Sequence, residues 1–360
     1  MDAIDVTFLA QGEQQAAAIA QEMAAFVDGA TASLDLAVYD FRLSDPLKQI
    51  VAAALARRAA AGVAIRIAYD ADKQQPPDTG AGMDPAPGGT GAFVQSLGYP
   101  WRRIGGMKLM HNKYIVRDAG GADPRVWTGS TNWTDDAWTK QENNILQLSS
   151  SDLATAYSQD FDDLWTTETI ENTGTFDPSP VTLSYGGAPA TVRVFFAPGR
   201  GLQIDDVVAR HVVAAARRVR ICSMLLNSSA LLNALLRLLK DGTVAVDGVY
   251  DKTQMAGVLQ QWQSVPRNAW KIEAVNQIVA QASLVGKNST PYSPTTVHDF
   301  LHDKILIVDD TVITGSYNFS RSAEQNAENI LTIDSPALAA AYSAYVDHLQ
   351  DKYRATGTAS

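Results

Sequence analysis

Two copies of one short pattern of reactive residues stand out in this chain, and we refer to them as the first and the second motif. Each has a histidine two residues before a lysine and an aspartate five residues beyond that lysine, and a Gly-Ser-x-Asn sequence follows. Because the chain has five histidines, two of them at matched places indicate a shared role. In order, the ten side chains are His111, Lys113, Asp118, Ser130, Asn132, His302, Lys304, Asp309, Ser316 and Asn318.

These residue types suit the transfer of a phosphoryl group. Side chains alternate across a β-strand, so the histidine and the lysine of each motif face the same side. A histidine can act as a nucleophile or as a general acid and base. Lysine, serine and asparagine can donate hydrogen bonds to phosphate oxygens whose charge changes in the transition state. Because neither motif includes a cluster of carboxylates or cysteines, the sequence predicts no metal site and no cofactor.

A structural explanation exists for each of these residues when it is considered alone. A histidine on an apolar strand is usually a core residue, and a Lys–Asp pair is usually a surface ion pair that contributes little stability. Two complete copies of a five-residue pattern are poorly explained in this way. The duplication therefore favours a functional site.

The duplication extends beyond the two motifs. In both halves a helix, a strand, a second helix and a second strand precede the His-x-Lys strand. This alternation predicts an α/β fold with mainly parallel or mixed sheets flanked by helices. We expect an N-terminal half over residues 1–171, a linker over 172–190 and a C-terminal half over 191–360. The predicted elements are helices at 13–28, 45–61, 203–217 and 229–240, and strands at 33–39, 63–70, 113–117, 126–128, 218–225, 244–251, 304–308 and 312–314.

Each half also contains a loop-like stretch ahead of its motif. Residues 74–90 are rich in proline and glycine, and residues 286–297 contain Pro291 and Pro294. If both loops lie at the carboxyl edge of a sheet, they are placed to cover a site there. The alternative is that both are ordinary surface loops.

The overall charge argues against a broad nucleic-acid-binding surface. The chain carries a net charge of −10, whereas phosphate backbones are bound by clustered lysine and arginine. One local exception contains Arg102, Arg103, Lys108 and Lys113 without an intervening acidic residue. This stretch is either a cationic approach to the first motif or a solvated edge of an acidic protein.

Composition also bears on the compartment and on membrane association. Cys222 is the single cysteine, so an internal disulfide is excluded, and its apolar neighbours predict a buried thiol. No stretch approaches the ~20 apolar residues that a membrane span requires, so stable membrane insertion is not expected. Residues 16–27 lack the basic lead of a signal peptide. This favours a cytoplasmic protein, or a secreted one if a signal has been removed.

The two motifs and their surroundings resemble the paired HKD signatures of the phospholipase D superfamily. The matching segments are MHNKYIVRD with TGSTNW and LHDKILIVDD with TGSYNFS, and the resemblance covers nearly the whole chain. It implies two α/β halves related by a pseudo-two-fold axis, with one active site at their junction. It also implies metal-independent hydrolysis or transfer of a phosphodiester through a covalent phosphohistidine. Since one chain contains both signatures, we expect a monomer.

The resemblance also implies roles for the motif residues. His111 would be the nucleophile, and His302 would be the general acid and base. Asp118 and Asp309 would organise the motifs rather than contact the substrate. The residues expected to hold the phosphate oxygens are Lys113, Lys304, Ser130, Ser316, Asn132 and Asn318.

A supporting side chain behind each histidine is implied as well. When QENNI of the first half is aligned with NAENI of the second, Asn143 stands opposite Glu328. In the family, the residue at this place supports the histidine of the other half. Glu328 would then support His111, and Asn143, or Glu142 after a shift of one residue, would support His302. A carboxylate behind only one histidine favours His111 as the nucleophile.

Three classes of function remain open. The turns GSTNWT and GSYNFS resemble the nuclease branch of the superfamily, so the first expectation is a nuclease-type phosphodiesterase acting on nucleic acid. The alternative is a phospholipase D acting on phospholipid head groups or another small phosphodiester. The third is a non-catalytic phosphate-binding module, which is disfavoured because neither motif has lost a residue. Four tryptophans near the first motif would stack bases, line a lipid slot or, as is more usual, pack in the core: Trp101, Trp127, Trp133 and Trp138.

Overall fold

Two mixed β-sheets, one in each half of the chain, form the framework of the protein. The computed structural model describes residues 3–70, 88–293 and 295–357. Within these residues the first sheet has seven strands and the second has eight. The fold class expected from the sequence, two similar α/β halves with helices around their sheets, is therefore confirmed.

The first half contains the elements that lead to and follow the first motif. Its helices are α1 (Ala16–Asp28), α2 (Asp45–Ala60), α3 (Thr90–Ser96), α4 (Asp135–Thr139) and α5 (Ser151–Thr167). Its strands are β1 (Ile4–Leu9), β2 (Ser33–Val38), β3 (Phe41–Arg42), β4 (Ala64–Asp70), β5 (Trp101–Ile104), β6 (Lys113–Arg117), β7 (Arg125–Gly129), β8 (Trp133–Thr134) and β9 (Asn143–Ser149).

The second half repeats this plan around the second motif. Its helices are α6 (Gly201–Val213), α7 (Ser229–Asp241), α8 (Lys252–Gln263), α9 (Ala269–Gln281) and α10 (Pro336–Gly357). None of the helices in the described part of the chain is long and apolar enough to span a membrane. The strands are β10 (Val181–Tyr185), β11 (Ala188–Ala197), β12 (Arg218–Ser223), β13 (Ala245–Asp251), β14 (Ser283–Lys287), β15 (Lys304–Val308), β16 (Thr311–Gly315) and β17 (Glu328–Asp334).

Helix α7 illustrates how local sequence fixes the ends of an element. At its start, the side chain of Ser228 accepts a hydrogen bond from the backbone of Leu231 at 3.1 Å, which satisfies a donor that has no partner within the helix. At its end, Gly242 takes up the left-handed conformation with φ of 65°, which glycine adopts without a steric penalty. Between them, Leu231, Leu235 and Leu238 share one buried face. The helix therefore packs against the second sheet.

The two sheets have matching strand orders. The first runs β1-β9-β7-β6-β2-β4-β5, and the second runs β11-β17-β16-β15-β12-β13-β14 with β10 added at its edge. Only the last three strands of each sheet are parallel to one another, and the other neighbouring pairs are antiparallel. The sheets are therefore mixed, with fewer parallel pairs than a mainly parallel sheet would have. One reason is that each His-x-Lys strand is followed by a short connection, residues 118–124 or 309–310, that leads directly into an antiparallel neighbour.

Part of the predicted linker is a β-hairpin. Residues 181–190 form β10 and the start of β11, with Tyr185 paired to Ala188 across a two-residue turn. Gly186 and Gly187 both have positive φ, at 57° and 83°, as a tight hairpin turn requires. The Gly-Gly pair between two apolar stretches was the sequence signal for this hairpin. The irregular connection is accordingly shorter than 172–190.

The core consists of three hydrophobic clusters arranged in layers. Residues of α5 and α10 share one cluster with residues of both sheets, so these two helices lie between the sheets. Helices α1 and α2 pack on the outer face of the first sheet, and α6, α7 and α9 pack on the outer face of the second. The layers therefore follow the order helix, sheet, helix, sheet, helix.

Both His-x-Lys strands begin where the two halves meet. Strands β6 and β15 each start at the lysine of a motif, opposite the ends of β2 and β12 respectively. Just ahead of these strands, Met110 forms a β-bridge with Ala327 of the other half, and Leu301 forms the reciprocal bridge with Glu142. We call this shared edge of the two sheets the junction edge.

Candidate functional site

The backbone of each motif histidine is bound by the other half of the protein. His111 N donates to Ala327 O at 2.8 Å, and His302 N donates to Glu142 O at 3.0 Å. Both histidines are buried and both line one cleft at the junction edge. The structure therefore brings the two motifs together into a single site.

The imidazole rings have different partners. Nδ1 of His111 lies 2.9 Å from Oε2 of Glu328, whereas Nδ1 of His302 lies 3.0 Å from Oδ1 of Asn143. Each partner comes from the opposite half, as the resemblance and the alignment of the two halves together implied. With Nδ1 engaged, Nε2 is the ring nitrogen that remains for a reaction in the cleft.

The contacts of Asn143 fix the tautomer of His302. The amide nitrogen of Asn143 donates to the carbonyl of Ala137 at 3.2 Å and to Gln141 Oε1 at 3.3 Å. Its amide oxygen accepts a hydrogen bond from Ser130 Oγ at 2.8 Å. Since this arrangement leaves only oxygen to face the ring, the imidazole must donate through Nδ1–H. In neutral His302, Nε2 is then a base that needs a proton before it can act as an acid.

The site holds both histidines in the neutral form at rest. Burial lowers the pKa of His111 well below its ordinary value, and the ammonium groups of Lys113 and Lys304 lower it further. The pKa of His302 is lowered in the same way, by burial and then by both lysines. Removal from water and nearby positive charge both disfavour the imidazolium form. A neutral imidazole is the nucleophilic form.

The two motif lysines lie buried beneath the histidines. Lys113 Nζ donates to the carbonyl oxygen of His111 at 2.6 Å, and Lys304 Nζ donates to that of His302 at 2.5 Å. Burial lowers the pKa of each lysine to about 7. Glu328 lies near both lysines, and burial raises its pKa to about 7. An anion that binds beside these lysines would favour their charged form.

The motif serines occupy a different place from the one expected. Ser130 donates to Asn143 and accepts from Asn144 N at 2.9 Å, and Ser316 accepts from Asn329 N at 3.0 Å. Both hydroxyls are fully buried. The expectation that they hold phosphate oxygens is corrected, because the Gly-Ser turns fold back onto β9 and β17 and use these hydroxyls there. The serines therefore support the histidine partners.

The motif asparagines keep uncommitted polar atoms. The side-chain oxygens of Asn132 and Asn318 are buried and have no hydrogen-bond partner among the described residues. Asn132 lines the cleft together with both histidines. A half-turn of an amide exchanges its oxygen and nitrogen, so each asparagine can present an N–H to a ligand.

Glu142 does not contact the ring of His302. Its carboxylate forms an ion pair with Lys287, accepts a hydrogen bond from the Tyr353 hydroxyl, and accepts another from Gln11 N at 3.0 Å. The one-residue shift considered in the alignment is therefore wrong. Only the backbone carbonyl of Glu142 reaches His302, because successive side chains of an extended segment point to opposite faces.

Asp118 and Asp309 organise the strands that carry the motifs. Asp118 accepts hydrogen bonds from three successive backbone N–H groups at residues 31–33, at 2.6 to 2.9 Å. Asp309 does the same at residues 216–218, at 2.8 to 3.0 Å. Burial acts to raise the pKa of each carboxyl, but the backbone donors hold it below its ordinary value. Neither aspartate is among the residues that line the cleft.

The cleft has a volume of about 490 Å³. Pro291 and Tyr292 line it, so the loop predicted over residues 286–297 does border the site, although Pro294 lies outside the described residues. Of the loop predicted over 74–90, residues 74–87 lie outside the described residues, while Thr90 donates to Asp40 Oδ1 at 3.1 Å. The described residues form no group of three or more His, Cys, Asp or Glu that could hold a metal ion.

The basic stretch before the first motif does not line the cleft. Arg102 pairs with Glu168 at 3.0 Å, and Lys108 lines a separate cavity. Only Lys113 of this stretch belongs to the site. Trp127, Trp133 and Trp138 are fully buried in the core, and Trp101 is partly exposed.

Sequence reasoning missed Tyr39, which follows directly after β2. Its ring packs edge-on against the ring of His111, with 4.6 Å between the ring centres. Lys113 Nζ lies 5.0 Å from the centre of the same ring. The signal available in the sequence was an aromatic residue at the carboxyl end of a strand that neighbours the motif strand.

Asp303, between the histidine and lysine of the second motif, was also missed. The hydroxyl of Tyr345 lies 2.7 Å from Asp303 Oδ2 and 2.6 Å from Leu9 O. One hydroxyl proton cannot serve both acceptors. If Asp303 is protonated, it donates to Tyr345, and Tyr345 donates to Leu9. Its other oxygen accepts from Asn144 Nδ2 at 3.0 Å. Burial raises the pKa of Asp303 to about 7, in agreement with a neutral acid at this place.

Comparison with protein families gives a match over both halves. The family model described as "Cardiolipin synthase, PLD-like domain" matches residues 23–165 and again residues 208–350. Each matched segment contains one motif. The duplication inferred from the sequence is therefore a duplication of one family domain.

Individual relatives match either over a shorter part of the chain or at lower sequence identity. The mitochondrial cardiolipin hydrolase of Xenopus laevis is 32% identical over 137 residues, which make up 38% of this chain and 56% of that protein. The match thus spans little more than half of the relative. The crystal structure of phosphatidylserine synthase from Haemophilus influenzae Rd KW20 gives a TM-score of 0.64 at 14% identity, covering 96% of this chain and 86% of that one. This second match is a likeness in fold.

If Asp303 is neutral, asparagine should replace it with little loss. Asp303→Asn keeps an acceptor for Asn144 and supplies an N–H to Tyr345, so activity on a soluble diester should stay close to that of the wild type. Asp303→Ala should leave buried partners unsatisfied and lower the free energy of unfolding by about 1–3 kcal/mol. Between about pH 4 and pH 7 the unfolded wild type has released a proton that the folded wild type keeps. As the pH rises through this window, the free energy of unfolding of the wild type should therefore fall relative to that of Asp303→Asn. Thermal unfolding of the three proteins tests this, and an inactive Asp303→Asn would contradict it.

Proposed function

The chain belongs to the phospholipase D superfamily, and we propose that it is a phosphodiesterase whose reaction passes through a covalent phosphohistidine on His111. The observation that carries the proposal is the pair of histidines in one cleft, each bound at Nδ1 by the opposite half. This pairing presents two imidazoles to one phosphate group. The proposed chemistry uses these side chains without a metal ion.

In the first step, Nε2 of His111 attacks phosphorus. A P–N bond forms, the bond from phosphorus to the leaving oxygen breaks, and the leaving oxygen takes a proton from Nε2 of His302. His302 must therefore gain a proton beforehand. The phosphate anion supplies the reason, because its negative charge beside His302 favours the imidazolium form. Binding of substrate thus prepares the acid.

In the second step, His302 acts as the base. It removes a proton from water, the water oxygen attacks phosphorus, and the P–N bond to His111 breaks. An alcohol in place of water would give transfer rather than hydrolysis. Lys113, Lys304, Asn132 and Asn318 are the proposed donors to the phosphate oxygens, since charged and preorganised donors stabilise charge that shifts in the transition state.

The two supporting side chains suit opposite roles. A carboxylate behind His111 stabilises the positive charge that the ring acquires in the phosphohistidine, which favours attack by this ring. An amide behind His302 gives no such charge stabilisation, so its imidazolium remains a stronger acid. The difference between Glu328 and Asn143 therefore supports the assignment of His111 as the nucleophile.

A phospholipid is the substrate class that this cleft fits best. The described residues that line the cleft include no lysine or arginine, which a nucleic-acid backbone would need, and the two motif lysines are buried beneath the histidines. The cleft also has an apolar part to its lining, supplied by Met224, Leu225, Val258, Pro291 and Phe300. The family description and the name of the Xenopus relative both refer to cardiolipin. These observations favour a phospholipid head group over the nucleic acid that motif style first suggested.

A burst experiment with bis(p-nitrophenyl) phosphate in EDTA should distinguish the roles of the two histidines. Because p-nitrophenolate leaves without a proton, His302→Ala should release about one equivalent rapidly and then stop, having lost its base. His111→Ala should show neither burst nor turnover. His211→Ala, which removes a histidine on α6 outside the cleft, is the control and should behave like the wild type. Stopped-flow absorbance measures all four proteins. A burst in His111→Ala alone would reverse the roles, and a requirement for a divalent metal would contradict the mechanism.

Glu328→Gln tests the carboxylate, since glutamine keeps a hydrogen-bond acceptor but removes the charge. The burst rate should fall at least about 100-fold. The pKa values of Glu328, Lys113 and Lys304 are all about 7, and loss of the lysine charges would lower the rate. A bound phosphate favours the charged lysines, so with saturating diester the wild-type burst rate should rise with pH through this range as the carboxylate ionises, and Glu328→Gln should lose this rise. Glu324→Gln is the matched control, because Glu324 does not line the cleft. An unchanged burst rate in Glu328→Gln would rule out the proposed role.

A substrate panel in EDTA tests the substrate class. Short-chain phospholipids below their micelle concentration, single- and double-stranded DNA, and RNA would be compared, with His111→Ala as the blank for each. We expect cleavage of the phospholipid, because apolar side chains line the cleft and none of the described lining residues is a lysine or an arginine. Cleavage of nucleic acid alone would overturn the substrate class and leave the proposed chemistry standing. Cleavage of none of them, with activity on the generic diester, would indicate another small phosphodiester.

A further inference from the structure

The most exposed large apolar side chains among the described residues lie near the junction of the two halves. Leu202 is 79% exposed, Met107 is 69% exposed and Tyr292 is 66% exposed. Soluble surfaces usually hold such side chains singly and far apart, so several of them along one edge of the molecule indicate a contact surface. We call Leu202, Met107 and Tyr292 the rim, and we propose that this rim is a docking surface for a bilayer that contains anionic phospholipid. The inference rests on the phospholipid substrate proposed above.

The topology places all three side chains at the junction edge. Strand β11 ends at Ala197, which pairs with Glu328, the partner of His111, and Leu202 follows at the start of α6. Met107 precedes the bridge between the two halves, where Leu109 O accepts from Ala327 N at 2.8 Å. Tyr292 follows β14 and lines the catalytic cleft itself. The exposed apolar groups therefore lie along the edge of the sheets at which the two motifs meet.

Met107 and Leu202 share a second cavity, of about 1040 Å³, with cationic residues. Lys108, Arg200 and Arg321 line it, and Arg321 is exposed. Arg200 is paired with Asp177 at 3.1 Å, so Lys108 and Arg321 are the cations proposed to contact lipid phosphates. On a chain with a net charge of −10, cations grouped beside exposed apolar side chains provide local complementarity to an anionic bilayer. Apolar side chains enter the acyl boundary while lysine and arginine reach the head groups.

Two acidic residues also line this cavity. Glu171 accepts a hydrogen bond from Met107 N at 2.7 Å and another from the Thr169 hydroxyl, so its carboxylate is occupied in holding the loop. Glu324 lies near Arg321 and Lys271. These contacts offset part of the positive charge at the rim. The apolar side chains are therefore expected to contribute the larger share of binding.

A bilayer fits this rim better than a second copy of the chain does. A phospholipid reaches the enzyme from a membrane, so the opening of the cleft must face the membrane for the head group to approach His111 and His302. The apolar groups share this edge with the histidines and have Lys108 and Arg321 beside them, which favours the bilayer.

Flotation with vesicles tests the docking surface. Wild type, Met107→Ser with Leu202→Ser, and Lys108→Ala with Arg321→Ala would be mixed with vesicles of phosphatidylcholine alone or with added phosphatidylglycerol. The wild type should float with the mixed vesicles. The serine variant should bind at least about tenfold more weakly, and the alanine variant about fivefold more weakly for each cation removed. Val213→Ser is the matched control, because Val213 is 43% exposed at the far end of α6.

Activity on the soluble diester separates membrane binding from folding and catalysis. All variants should hydrolyse bis(p-nitrophenyl) phosphate like the wild type, which shows that they fold and that the catalytic proposal is tested separately. Wild type that does not float, or a serine variant that floats like the wild type, would overturn the docking surface even if short-chain phospholipid is cleaved. Loss of a dimer in the serine variant, measured by sedimentation with vesicle binding unchanged, would assign the rim to a second copy. Binding of DNA that depends on the two cations but not on the apolar pair would assign it to nucleic acid.

Discussion

The site depends on reciprocal hydrogen bonds, in which each half of the protein binds the histidine of the other half. His111 receives its backbone acceptor and its ring partner from the second half, and His302 receives both from the first half. Neither half alone can hold its histidine in this geometry. Helices α5 and α10 lie between the sheets and bury apolar side chains of both halves, so packing of the core and assembly of the site are one event. The halves can therefore shift against each other only by breaking the contacts that orient both rings.

This arrangement places charge where burial makes it costly. Lys113, Lys304 and Glu328 are all buried at the junction, and each has a pKa moved by burial to about 7. Buried ions are stabilised only by close partners, and here the phosphate group of a substrate would be the missing counter-charge. The resting site is thus close to a change of protonation at neutral pH. The same poor solvation that costs stability makes these groups responsive to a bound anion.

Local pattern predicted the elements of the fold, but not the pairing within the polar core. The strands 113–117 and 304–308 were predicted with the bounds that the structure shows, because apolar alternation is a local property. The contacts of Glu328 and Asn143 were predictable only because the halves could be aligned and because the family resemblance implies support of each histidine by the other half. The hydrogen bond between Asp303 and Tyr345 joins the start of β15 to the last helix. The ion pair of Glu142 with Lys287 joins the two halves. No periodicity marks such partners, since they depend on how distant segments dock. The hydroxyl of Ser130 was misjudged for the same reason.

The two halves have nearly the same geometry but differ in the charged groups behind their histidines. This difference lets one duplicated fold supply two different catalytic groups. The halves place Asn112 and Asp303 at equivalent positions, yet the buried carboxyl group lies on the helix in the first half, at Asp160, and on the motif in the second. Burial raises the pKa of Asp160 to about 8 and that of Asp303 to about 7, so both carboxyls favour the neutral form more than an exposed aspartate does. The pair behind the histidines is different, because only Glu328 can place a negative charge against a ring. Two imidazoles in like surroundings would have like affinities for a proton. A single carboxylate on one side is sufficient to make one ring the better nucleophile and leave the other the better acid.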